Sequence, residues 1–206
     1  MLKIVRRAAY VLIALVLAGL GGVLWWRGEA PRLSDIGVAI PGGVSMGGPF
    51  TLVNTAGETV TEASFRGRWM LLYFGFTFCP DVCPTDLQTI SAALDKLGPL
   101  GQRVVPVFVT IDPERDTPAV LGEYTKLFDE RLVGLTGSKE QVAAAAKAYR
   151  VYYARAKSRD SSDYLMDHSA FIYLVGPDGG FRALFRHGMS VQELTDGLKA
   201  RLQAGS

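Results

Sequence analysis

The chain holds two cysteines, Cys79 and Cys83, separated by three residues in the run Phe76-Thr-Phe-Cys-Pro-Asp-Val-Cys-Pro-Thr-Asp-Leu87. Sulfurs this close have two uses. They cycle between dithiol and disulfide, or they clamp a soft metal ion. Two apolar cysteines that merely pack in a core fit poorly with a polar loop containing two prolines. The pair is also too close to staple distant parts of a fold, so a functional pair is the expectation. Two histidines complete the soft-donor set, His168 in Met166-Asp-His-Ser169 and His187 in Phe185-Arg-His-Gly188. Two thiolates and one imidazole form a low-coordinate set suited to Cu(I), and the imidazole with an open position also holds Cu(II). Structural zinc would want a fourth protein ligand. Asp86 and Asp167 are the nearest offers, and surface solvation or helix N-terminal charge explains either equally well. His187 reads as turn decoration.

The elements around the cysteines set their chemistry. Trp69-Met-Leu-Leu-Tyr-Phe74 is a short apolar and aromatic run, read as a buried strand, and Leu87, Ile90, Ala93, Leu94 and Leu97 recur at helical spacing. Both thiols therefore sit where a core strand gives way to a helix N-terminus, whose dipole favours thiolate over thiol. Pro84 suits a first helical position, and Pro80 constrains the loop so that both sulfurs face one point. Thioredoxin-type oxidoreductases normally carry CxxC. The additional residue of CxxxC widens the loop and leaves room for a metal between the sulfurs.

The rest of the chain reads as an α/β domain. Phe50-Thr-Leu-Val53 and Thr59-Val-Thr61 flank a turn at Ala56-Gly57 and form a small N-terminal β-hairpin. A second buried strand covers residues 103–110, and a polar loop, Asp112-Pro-Glu-Arg-Asp-Thr-Pro118, follows it. Thr117 caps the next helix with Pro118 at its first position. A strand at 132–135 leads through Ser138, an N-cap, into an alanine-rich helix ending near Tyr149. Residues 151–154 are expected to be extended, and 157–163 to form a polar, mobile loop. Ala170-Phe-Ile-Tyr-Leu-Val175 and Phe181-Arg-Ala-Leu-Phe185 flank a hairpin turn, and Ser190 with Glu193 opens a closing amphipathic helix as a capping box. This order gives a thioredoxin-like sheet with an added N-terminal β-hairpin. In such a sheet the loop holding His168 faces the cysteine loop, at the place where thioredoxins carry a cis-proline.

The N-terminus adds a location. Lys3, Arg6 and Arg7 precede an uncharged apolar run over residues 8–26 that ends in Trp25-Trp26. Its length suits one transmembrane helix, and the charge pattern puts residues 1–7 in the cytoplasm. A cleaved signal peptide would have a shorter apolar region and a small-residue cleavage site. Residues 27–47, rich in Gly and Pro, read as a linker to a domain spanning 48–206 outside the cytoplasm. A net charge of +2, with both signs interspersed, carries no nucleic-acid footprint.

Three ordered motifs, Phe74-Gly-Phe-Thr-Phe-Cys-Pro-Asp-Val-Cys-Pro-Thr-Asp-Leu87, Val109-Thr-Ile-Asp-Pro-Glu-Arg-Asp-Thr117 and Tyr164-Leu-Met-Asp-His-Ser169, closely resemble the SCO/SenC family. The resemblance runs from about Gly48 to the closing helix, and the N-terminal anchor also fits it. It implies a membrane-tethered, thioredoxin-fold copper protein that assists assembly of the binuclear copper centre of cytochrome c oxidase. By position it assigns copper, as Cu(I) and Cu(II), to Cys79, Cys83 and His168, and it matches Asp86 and Asp112 without fixing their roles. Its implied partners are the copper-bearing oxidase subunit or another copper chaperone, in a bacterial periplasm or mitochondrial intermembrane space. Phe78 departs from the family, where many members carry His before the first cysteine.

Three functions compete for the same sulfurs. A copper metallochaperone needs His168, whereas a thiol-disulfide reductase acting on a partner's copper-site cysteines needs only Cys79 and Cys83 as a redox-active pair. A peroxidase of peroxiredoxin type is suggested by Val82-Cys-Pro-Thr-Asp86. It lacks the Thr or Ser that should stand three residues before the reactive cysteine: Pro80 takes that place for Cys83, and Phe76 for Cys79.

Overall fold

Every side chain of Trp69–Gly75 is buried, which makes this strand the axis of the domain. The computed structural model describes residues 46–156 and 164–204. The expected cytoplasmic N-terminus, transmembrane helix, most of the linker and the polar loop 157–163 lie outside the described residues. Among the described residues, no helix is long and apolar enough to cross a membrane.

The described residues form nine strands: β1 (Thr51–Asn54), β2 (Thr59–Thr61), β3 (Trp69–Gly75), β4 (Val104–Thr110), β5 (Val133–Thr136), β6 (Tyr153–Arg155), β7 (Met166–His168), β8 (Phe171–Val175) and β9 (Phe181–Arg186). Four helices accompany them: α1 (Val82–Lys96), α2 (Pro118–Lys126), α3 (Lys139–Ala148) and α4 (Val191–Ala204). Seven strands make one sheet in the order β2-β1-β5-β4-β3-β8-β9, and β6 and β7 form a separate two-stranded ribbon. Strands β3, β4 and β5 run parallel, and β8 runs antiparallel to β3. This is the expected thioredoxin-like α/β fold with its additional N-terminal hairpin, β1–β2, which pairs onto the edge of β5.

The central strands β3 and β4 are apolar without alternation because both faces of the sheet are covered. Phe74, for instance, meets Tyr149 and Tyr173 at ring-centre distances of 5.7 and 5.9 Å. Helix caps follow the sequence: Thr117 accepts from the Val120 N–H, Ser138 and Gln141 form a capping box, and Ser190 and Glu193 form another. Each such cap contributes about 1 kcal/mol.

Some expectations shift. Helix α1 begins at Val82, so Pro84 is its third residue rather than its first. The first turn has no intrahelical partners for its N–H groups, so proline is tolerated there too. The strand read at 132–135 lies at Val133–Thr136, and the extended stretch read at 151–154 becomes Tyr153–Arg155. Two short 3-10 helices, Glu62–Phe65 and Gly98–Arg103, and the strand Met166–His168 had no clear sequence signal.

Candidate metal centre

Strand β3 ends at Gly75 and delivers the chain directly into the cysteine loop. Antiparallel pairing sets Tyr73 of β3 opposite Ile172 of β8, so the start of β8 lies beside the end of β3. His168, three residues before Phe171, is thereby carried to the same edge as the cysteines. Its strand β7 is fixed in turn by β6, with Tyr153 opposite His168, and by the Ser169 N–H donating to the Tyr152 carbonyl at 2.9 Å.

The structure brings the three sequence-predicted residues together. One ligand atom from each of Cys79, Cys83 and His168 lies within 4.8 Å of the others. His168 Nε2 stands 3.6 Å from Cys83 Sγ. Its Nδ1 faces the Ser169 carbonyl at 3.2 Å, which needs a donor there. That leaves Nε2 with its lone pair toward the sulfurs, the arrangement that orients a metal-binding imidazole. The Phe76 and Tyr73 rings meet the imidazole edge-on at 6.0 and 6.3 Å.

The two thiols are free and unequal: Cys83 is buried and Cys79 half-buried. The Cys83 N–H, at the start of α1, donates to Cys79 Sγ at 3.3 Å. Hydrogen bonding from the Cys83 thiol above all, with the Cys83 N–H beside it, lowers Cys79 to about 4. Cys83 is pushed up by its hydrogen bond to Cys79, by burial and by the Cys79 charge. The pair therefore holds one thiolate, on the more exposed sulfur, and one proton, on the buried one. Burial above all, then the nearby Cys83 and Asp86, also pushes the Tyr73 phenol up, so it stays neutral beneath the site. A cavity of about 310 Å³ opens beside Cys79 and His168, lined among others by Phe76, Asp81, Met166 and His187.

Several residues that hold the site were not legible as such. Asp116, read as part of a polar loop, is completely buried. It accepts from the Thr77 N–H at 3.1 Å, the Thr77 hydroxyl at 2.6 Å and the Thr110 hydroxyl at 2.5 Å. It thus pins the start of the cysteine loop to the end of β4. Asp86 is buried rather than solvated, and His187 is no turn decoration: its Nδ1 meets Asp86 Oδ1 at 2.9 Å. The motif Asp-Pro-Glu-Arg-Asp was a signal that something fixed stood there, but not what.

Residues 39–203 match the SCO1/SenC family. The chain belongs to this family. Among curated relatives, it is 47% identical over 158 residues to the Arabidopsis thaliana mitochondrial SCO1 homolog 1, covering 76% of this chain and 47% of that one. It is 40% identical over 203 residues to the Bos taurus mitochondrial SCO2 homolog, covering 96% of this chain and 76% of the relative. The chain thus spans about half the length of the Arabidopsis relative and most of the bovine one. Among solved structures, Arabidopsis thaliana ScoI with copper bound superposes with a TM-score of 0.74 at 45% identity, covering 77% of this chain and 99% of that one. Bradyrhizobium japonicum ScoI with copper bound gives 0.69 at 42% identity, covering 76% and 99%. The SCO1/SenC match takes in the cysteine loop, the Asp-Pro loop and the histidine ribbon together.

Proposed function

We propose that this SCO1/SenC chain is a copper chaperone that binds Cu(I) and Cu(II) through Cys79, Cys83 and His168. The observation that carries the reading is the convergence of two sulfurs and a correctly presented Nε2 within 4.8 Å. Thiolate, thiol and imidazole are soft donors, and three of them with an open side suit copper held for transfer rather than locked in. Two relatives solved with copper bound, at 45% and 42% identity, support the choice of metal. By the same kinship, the cargo is destined for the binuclear copper centre of cytochrome c oxidase, received by its copper-bearing subunit or passed through another copper chaperone.

The domain plan that goes with this is a cytoplasmic N-terminus at 1–7, a membrane anchor at 8–26, a linker at 27–47 and the copper domain at 48–206. The anchor would hold the site outside the cytoplasm, in a bacterial periplasm or a mitochondrial intermembrane space. A Cu(I) competition titration of wild type against Cys79→Ser, Cys83→Ser and His168→Ala tests it. One copper per chain and a marked loss of affinity in all three variants are expected. Copper binding indifferent to His168 would sink the three-ligand site.

A second reading is favoured by the inequality of the thiols. The half-buried Cys79 thiolate would attack a disulfide sulfur of a partner and release that partner's other sulfur as a thiolate. Cys83, losing its proton, would then displace the partner from the mixed disulfide, leaving a Cys79–Cys83 disulfide and a two-electron-reduced partner dithiol. Normal oxidase assembly in cells carrying His168→Ala, but not in cells carrying either cysteine variant, would select this reductase over the chaperone.

A further inference from the structure

His168 rides on a ribbon outside the main sheet. Among the described residues, strand β7 pairs only with β6, and neither joins the seven-stranded sheet. Backbone pairing carries the imidazole to this edge, and side chains help to set how closely it approaches the sulfurs; one of them touches both partners. The Arg115 guanidinium lies 4.6 Å from the centre of the Phe78 ring, the residue before Cys79. It also lies 3.8 Å from the centre of the Tyr164 ring, four residues before His168.

The contact is oriented as well as stacked. Arg115 Nε donates to Asp112 Oδ2 at 2.5 Å, and Nη1 donates to the Tyr164 carbonyl at 2.9 Å. The Tyr164 hydroxyl donates to Asp112 Oδ1 at 2.6 Å, closing a ring of three residues around the buried Asp112 carboxylate. Arg155 of β6 covers the Tyr164 ring at 4.1 Å and pairs with Glu114 of the same Asp-Pro loop. Phe78 is 54% exposed, yet it keeps this cation against it. A planar, delocalised cation that forks its donors is what this geometry uses, and an ammonium has neither property.

Resting on the three-ligand reading of the site, we propose that Arg115 is a positioning residue for the metal. Its guanidinium clamps the cysteine loop to the histidine-bearing ribbon, and His168 meets the sulfurs only while that clamp is closed. The phenyl group at 78 and the phenol at 164 are the two groups it grips, and the bond from its Nε to Asp112 fixes its orientation. Arg115 touches neither metal nor cargo; it acts through His168.

The test is a double-mutant cycle on the full chain, read as Cu(I) affinity by competition. Arg115→Ala should weaken binding about tenfold, within the range found for coupled neighbours, and Arg115→Ala combined with His168→Ala should bind no more weakly than His168→Ala alone. Arg115→Lys should resemble Arg115→Ala, because the stacked fork is lost with the charge kept. Phe78→Ala, which removes an exposed ring and spares the core, should shift affinity the same way. Wild-type affinity in Arg115→Ala, or losses that simply multiply in the double variant, would overturn the proposal. A metal-free measurement separates this from the site itself. Nuclear Overhauser contacts between the His168 and Phe76 rings should be present in wild type and lost in Arg115→Ala. Their persistence would overturn the clamp even with the copper site intact. Wild-type copper affinity in His168→Ala would instead overturn the three-ligand reading, whatever Arg115 does.

Discussion

A methyl group on Gly75 would stand 2.7 Å from the Cys83 sulfur. The absence of a side chain at the end of β3 is therefore what lets Cys83 turn inward beneath the loop. The same methyl would come within 2.8 Å of the Phe108 ring, so at least one of two buried neighbours would have to shift. The constraint is space, since Gly75 has an ordinary strand backbone.

Gly75→Ala should cost about 1–3 kcal/mol of stability, as overpacking a filled core does. It should also weaken copper binding, because the shift falls on a sulfur of the proposed ligand set. Thermal unfolding beside a Cu(I) titration checks both. Wild-type stability with wild-type copper affinity would show that the sulfur has slack that the packing does not suggest.

Asp116→Asn should loosen the loop from its other end. The Thr77 N–H can only donate, so an amide must keep its oxygen toward it, turn its N–H to the Thr77 hydroxyl and make that hydroxyl give up its role as donor, while every remaining bond loses its charge. The expected loss is about 1–3 kcal/mol. Burial, outweighing the hydrogen bonds from Thr110 and Thr77, raises the Asp116 carboxyl above its ordinary value. A raised carboxyl stabilises the fold fully below the pH at which an unfolded aspartate titrates, and that contribution is lost as pH rises through the folded value. The gap between wild type and Asp116→Asn should thus narrow from acidic to neutral pH. Chemical denaturation across that range measures it, and a gap that widens with pH would contradict the assignment.

The unequal thiols predict an unequal pH profile. Brief alkylation should label Cys79 and spare Cys83, with a rate that stays flat on acidification until it falls near about 4. The largest cause of that depression is the Cys83 thiol, so Cys83→Ala should move the Cys79 midpoint up toward the ordinary thiol range of about 8.5. Mass-spectrometric mapping of the label reads both. A Cys79 midpoint unchanged by Cys83→Ala would remove the thiol–thiolate hydrogen bond from the account. Copper bound to both sulfurs must expel the Cys83 proton, so affinity should fall about tenfold per pH unit for each proton displaced as the solution is acidified.

The sequence carried the parts of the fold that depend on local pattern. The apolar run before Cys79, the helical spacing after Cys83 and the caps at Thr117, Ser138 and Ser190 each report on neighbouring residues, and each stands in the structure. His168 was legible because sheet topology alone brings the start of β8 beside the end of β3. What stayed hidden depends on contacts between distant segments. Asp116 sits in a run of polar residues that looks solvated, and its burial is made tolerable by Thr77, thirty-nine positions away, together with Thr110. His187 reaches Asp86 across 101 positions. The strand Met166–His168 is three residues long with one apolar side chain, too short for any alternation to register.

X-ray absorption at the copper edge of the Cu(I)-loaded chain reads the proposed ligand set without an intermediary. Two sulfur scatterers and one imidazole nitrogen per copper are expected, with the imidazole pattern gone in His168→Ala. Two sulfurs alone in the wild-type spectrum would contradict the account.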